Sequence, residues 1–181
     1  MSAADGAPPS DAWMVRDALD EDHATLVEMM RDLQAYELRF EPNRAPPTRM
    51  AAPHLDALAR WAARNDGGVL VATPSRQGGG GNGAERIEGF LAFAIEEEFG
   101  CFVARENQRF GVISDLFVRE PARGRGVGHA LLDEARARLT AHGIRRLEVT
   151  ALWGNTAARA AYEAMGFAPS HLTYAETLPR R

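Results

Sequence analysis

Hydrophobic positions along the chain recur with two periods, and each change of period marks an element. A short strand is predicted from Trp13 to Arg16. Asp20, Glu21 and Asp22 then open a helix in which Leu26, Val27, Met30, Leu33 and Leu38 recur at helical spacing. The stretch "EPNRAPPTR" breaks that periodicity, and "PHLDALARWAARND" reads as a second helix, with a proline early and two glycines after its end. "GVLVAT" and "IEGFLAFAIEEE" follow as strands, joined by the glycine-rich connection "PSRQGGGGNGAER". "RFGVISDLFVRE" is a further strand. Beyond it, Val127, Leu131, Ala135 and Leu139 mark one face of a helix, with Leu132 beside it, that Gly143 ends. "RRLEVTALW" alternates as a strand, with Leu147, Val149, Ala151 and Trp153 on one side. "NTAARAAYEAMGF" is a short helix between an Asn155 N-cap and Gly166, and "SHLTYAETL" is a last strand.

Strands flanked by helices imply a mixed α/β sheet with helices on its faces. Residues 1–11 are small, polar and proline-containing, which predicts a disordered tail ahead of one domain over 12–181. Apolar residues make up 45% of the 181, enough for a sizeable core. A net charge of -4 argues against nucleic-acid partners. No apolar run approaches the roughly 20 residues that cross a membrane. Cys101 is the single cysteine, so no intrachain disulfide forms, and a cytoplasmic protein is expected.

One strand departs from strict alternation. Leu116 and Val118 share a face, whereas Ile113 falls on the other unless one extra residue intervenes. The spacing Ile-x-x-Leu-x-Val therefore predicts a β-bulge near Ser114 and Asp115, which frees backbone groups from the ladder.

Between this strand and the next helix lies "RGRGVG", residues 123–128. Its glycines permit positive φ and close approach of backbone to a ligand. The helix that follows presents unpaired N–H groups and the positive end of its dipole. With Arg123 and Arg125 added, the loop is a candidate diphosphate site. It is no P-loop, because the chain has no lysine. The Gly-x-Gly-x-x-Gly order of a dinucleotide fingerprint is also absent.

The run "ISDLFVREPARGRGVGHALLDEARARL", followed by a strand and "NTAARAAYEAMGF", resembles the GNAT superfamily of acetyl-CoA-dependent N-acetyltransferases. The diphosphate loop of that family is matched by Arg123, Gly126 and Gly128, and its later Asn/Tyr/Gly-Phe element by Asn155, Ala158, Tyr162, Gly166 and Phe167. The resemblance implies a central, mostly antiparallel sheet of about seven strands, splayed between the fourth and fifth, with helices on both faces. It implies acetyl-CoA as cosubstrate, with the pantetheine arm pairing to the backbone of Leu116, Phe117 and Val118. Residues Arg123, Gly124, Arg125, Gly126, Val127 and Gly128 would hold the diphosphate, and Asn155, Ala158, Arg159 and Tyr162 would complete the coenzyme site. It also implies Tyr162 as the acid for the departing thiolate and the Leu116 N–H as an oxyanion donor.

The base stays open between Asp115, at the expected bulge, and Glu96, Glu97 or Glu98, at the end of the preceding strand. His129 reads as a surface residue, while His171 and Tyr174 are candidates to line the acceptor pocket. Family members often shape that pocket with the first two helices, which here supply Tyr36, Glu37, Phe40 and Glu41. Carboxylates beside aromatics, with Glu97 added, suit a small cationic amine as partner. A protein lysine or N-terminal acetyltransferase and a non-catalytic acyl-CoA-binding module are the competing readings. No metal is expected. Dimers are frequent in the family, and the last strand offers an exchange edge for a homodimer.

Overall fold

In a computed structural model of the chain, residues 12–75, 86–100, 103–176 and 178 are described. The segment 1–11, most of the glycine-rich connection and Cys101 lie outside them. Five strands form one sheet in the order β1 (Trp13–Asp17), β2 (Gly68–Pro74), β3 (Gly89–Glu97), β4 (Arg109–Val118) and β5 (Leu147–Val149). The first four pair antiparallel, and β5 joins β4 in parallel.

Period two sorts the side chains of the central strands onto two faces. Leu70, Ala72, Leu91, Phe93 and Ile113 point to one core, covered by Val127, Leu131, Leu132, Ala135 and Leu139 of α3 (Val127–Ala141). Val71, Phe90, Ala92 and Phe117 point to the other. That face is covered by Leu26, Met29 and Met30 of α1 (His23–Glu37) and by Ala51, Leu55 and Leu58 of α2 (Pro47–Arg64). The result is a helix–sheet–helix sandwich.

The second helix starts six residues before the proline that seemed to open it. Pro47 takes the first helical position, where a missing N–H costs nothing. Pro53 lies inside the helix on its exposed side, so the carbonyl it leaves unpaired turns to water.

Five strands rather than about seven stand among the described residues. The expected last strand does not form among the described residues, which join no ladder there. Leu172 and Tyr174 are 56% and 88% exposed, so no buried face fixes a register for it. The strand expected over residues 145–153 shrinks to Leu147–Val149. It pairs with β4 only at Gly111, Val112 and Ile113. From there to Val118 the β4 edge has no partner on that side among the described residues, and the sheet is splayed between β4 and β5.

Candidate active site

The splay begins at a one-residue insertion. Ala92 of β3 pairs with Asp115 and Phe93 with Ile113, which leaves Ser114 without a counterpart. The insertion puts Ile113, Leu116 and Val118 against the same core, while Phe117 turns to the opposite one. It also decides which way the peptide groups point. The Arg119 N–H donates to Glu88 O on the β3 side at 2.8 Å. By alternation the peptide groups of Leu116 and Val118 face the open side. The Val118 carbonyl is seen doing so, accepting from Arg123 Nε at 3.1 Å.

The mouth of the opening is the loop 123–128. Gly124 and Gly126 have φ of 71° and 87°, a region closed to most side chains. The first bond of α3 runs from the Ala130 N–H to Gly126 O. The N–H groups of Val127, Gly128 and His129 therefore have no acceptor within the helix and stand at its positive end. Arg123 and Arg125 contribute differently from the sequence expectation. Their N–H groups are turned inward, to Glu120 O at 3.2 Å and Ala122 O at 3.4 Å. Trp13 of β1 pins the loop from behind: its indole N–H donates to Arg125 O at 2.7 Å, and the Arg125 guanidinium lies 5.7 Å from the ring.

The far wall is α4 (Thr156–Ala164). Asn155 is buried and its Oδ1 accepts from the Ala158 N–H at 3.1 Å, so the cap fixes where the helix enters the cleft. Two turns on, Tyr162 faces the same space, with its ring edge-on to Phe167 at 5.9 Å.

Together these elements enclose a cavity of about 400 Å³ lined by Leu116, Phe117, Val118, Arg123, Gly124, Gly126, Val127, Gly128, Asn155, Ala158 and Tyr162 among others. Two residues expected there are turned away: Arg125, stacked on Trp13, and Arg159, stacked 4.1 Å from the Trp153 ring. His129 is exposed, as expected, and also borders the cavity.

Of the residues expected to meet an acceptor, Tyr36 lines the cavity and Phe40 packs edge-on to it at 5.4 Å. Glu37 and Glu41 are both held by Arg44, each at 2.7 Å. Glu97 does not join them. It pairs with Arg109 five residues along β3 from the bulge, about 17 Å away at the rise of a strand. Glu96 is drawn to the Trp61 indole and Glu98 to Arg146, which removes the whole cluster from the cleft. His171 and Tyr174, on the exposed C-terminal segment, line no part of the cavity.

One side chain that sequence reasoning missed stands against the bulge. His54 of α2 places Nε2 3.6 Å from Asp115 Oδ1, slightly beyond hydrogen-bond length and an ion pair when the ring is protonated. Asp115 also accepts from Ser114 Oγ at 2.8 Å. The Asp115 carboxylate is the largest cause raising the His54 pKa above its ordinary value, against desolvation. Burial raises the Glu37 carboxyl, opposed by the Arg44 charge and helped by Asp115 and Glu41. Tyr162 is pushed up to about 12, first by desolvation, although its ring keeps an exposed edge, and then by the charges of Glu37 and Asp115.

A splayed β4, an anion-ready helix start and a capped tyrosine helix now stand around one cleft. The model of the acetyltransferase (GNAT) family matches residues 29–167, well over half of the chain. The chain belongs to the GNAT family. It is thus an acetyltransferase-family protein with a mixed GNAT fold, five-stranded among the described residues. Solved structures share that fold. The tetramutant of a Bacillus halodurans protein is 20% identical with a TM-score of 0.69, over 91% of this chain and 99% of that one. A GCN5-related N-acetyltransferase from Ralstonia eutropha is 18% identical with a TM-score of 0.66, over 91% and 98%. A predicted acetyltransferase from Clostridium acetobutylicum, solved with acetyl-CoA, is 19% identical with a TM-score of 0.62, over 91% and 96%. No curated protein matches the sequence significantly. No helix among the described residues is long and apolar enough to cross a membrane.

Proposed function

We propose that this GNAT protein transfers the acetyl group of acetyl-CoA directly to the primary amine of a small cationic acceptor. The observation that carries the reading is the unpaired β4 edge. Leu116 and Val118 offer peptide groups to a gap that opens at one end on the free N–H groups of Val127, Gly128 and His129. A diphosphate suits those N–H groups, and an extended amide-bearing arm suits the strand edge. The reacting thioester then falls between Leu116 and Tyr162. The Leu116 N–H stabilises the oxyanion, and the Tyr162 hydroxyl donates to the leaving sulfur. A phenol pushed up to about 12 is protonated at every working pH, so this donor is always ready. Glu37 and Asp115 place negative charge beside Tyr162, which favours a cationic acceptor.

Calorimetry with acetyl-CoA and a thiol-release assay with spermidine, tyramine and glucosamine test the reading. Binding with turnover of at least one amine is the expected result. Absence of binding by the folded protein at millimolar acetyl-CoA overturns it.

A further inference from the structure

Around Asp115, the residue before Leu116 on β4, lies a group of ionisable side chains: Glu37, Glu41, Arg44 and His54. Two of them share one counterion. Arg44 reaches Glu37 Oε2 and Glu41 Oε2 at 2.7 Å each. Asp115, whose side chain is only 11% exposed, is engaged by Ser114 and His54. The His54 ring is different. Its side chain is 37% exposed, its Nε2 faces Asp115, and with the proton on that nitrogen Nδ1 is left as the acceptor.

We infer that His54, oriented by Asp115, is the base that takes the proton from the acceptor amine. This rests on the amine-transfer reading above. Asp115 is then a positioning residue, and the choice between it and the Glu96–Glu98 cluster is resolved in favour of neither.

Base strength supports the assignment. An alkylammonium loses its proton near pH 10.4 and an ordinary carboxyl near 4, a gap of about six units. A histidine starts near 6.5, which closes more than two of those units, and the Asp115 carboxylate raises it further. The charged groups around the ring are Asp115 on β4, Glu37 on α1 and Arg44 on the α1–α2 connection. The two carboxylates favour the protonated ring and Arg44 opposes it.

The step balances. His54 Nδ1, directly or through one water, takes a proton from the ammonium, and the freed lone pair attacks the thioester carbon. The C–N bond forms and the C–S bond breaks. The thiolate takes the Tyr162 proton, and the second N–H proton, leaving the new amide through solvent, restores the phenol. His54 releases its proton to water, one per turnover.

The test is the pH profile of kcat/KM for wild type, His54→Gln and Asp115→Asn. The acceptor is whichever of spermidine, tyramine or glucosamine the wild type turns over. A limb rising with pH through a midpoint above 6.5 is expected for the wild type. His54→Gln should lose that limb and about 10²- to 10⁴-fold in rate, while still binding acetyl-CoA by calorimetry. Asp115→Asn should move the midpoint down toward 6.5. Titration of the His54 ring by NMR in the wild type reads the same midpoint without any variant. A His54→Gln enzyme with wild-type rate and limb, or a ring midpoint at or below 6.5, overturns the assignment and leaves the transferase reading standing. If acetyl-CoA binds and no amine turns over, the amine reading fails and the base fails with it.

Discussion

Gly128 offers a substitution whose effects on stability and binding should have opposite signs. It is the second residue of α3, and a Cβ built on it meets nothing beyond its own helix closer than Val118 Cγ2 at 3.9 Å. Its φ is not positive, so alanine fits the backbone without strain. Glycine in a helix is worse than alanine by up to about 1 kcal/mol, and alanine also narrows the unfolded ensemble. Gly128→Ala should therefore stabilise the fold by about 0.5–1 kcal/mol, or a Tm rise of about 1–4 °C for a chain of this size. The new methyl, however, stands between two residues that line the cleft. If coenzyme lies against that backbone, an intruding methyl costs about 1–3 kcal/mol, which is roughly a 5- to 150-fold weaker Kd. Differential scanning calorimetry and titration calorimetry with acetyl-CoA read the two quantities on one sample. A variant that melts higher and binds acetyl-CoA as tightly as wild type refutes the reasoning, because the ligand would then not approach the peptide at 128.

Other perturbations separate further parts of the argument. Trp13→Phe keeps a ring under Arg125 but removes the 2.7 Å bond to its carbonyl; acetyl-CoA titration should show several-fold weaker binding, with the sheet intact by circular dichroism. Tyr162→Phe should lower kcat by about 10- to 100-fold or more with little change in acetyl-CoA affinity. With the phenol at about 12, the wild type should show no alkaline decline from this group up to pH 10, and a loss at pH 9 would contradict its role. Asp22 is buried; Arg16 at 2.6 Å, outweighing desolvation, and the Leu19 N–H hold its pKa below 3.8. Its folded pKa is depressed, so its contribution is complete above 3.8 and is lost as pH falls through the folded value. Acid titrations of wild type and Asp22→Asn should converge in stability only at the acid end.

How much of this could be read from sequence differs by element, for physical reasons. The bulge was legible because one extra residue flips a period-two pattern, and Ile113, Leu116 and Val118 recorded that flip in their spacing. The loop was legible because left-handed backbone requires glycine, and Gly124 and Gly126 adopt it. The start of α2 was hidden because Pro46 and Pro47 read as breakers and Pro53 as the opening of the helix, while the geometry puts Pro47 at the first helical position and Pro53 inside, facing water. The missing final strand was illegible because alternation in "SHLTYAETL" predicts a strand without supplying a partner. His54 escaped notice because its meaning depends on Asp115, far away in sequence and brought close only when α2 packs on the sheet. Glu96–Glu98 misled for the converse reason: proximity to the right strand says nothing about which end of it a residue occupies.

Ser114 makes the length of β4 part of its chemistry. Deleting that single residue would turn Ile113 out of its core, or else turn Leu116 and Val118 out of theirs and swing their peptide groups back toward β3. No point substitution undoes such a change. An inserted or lost residue within this strand removes hydrophobic packing and, on the proposed reading, the peptide edge offered to coenzyme in the same stroke.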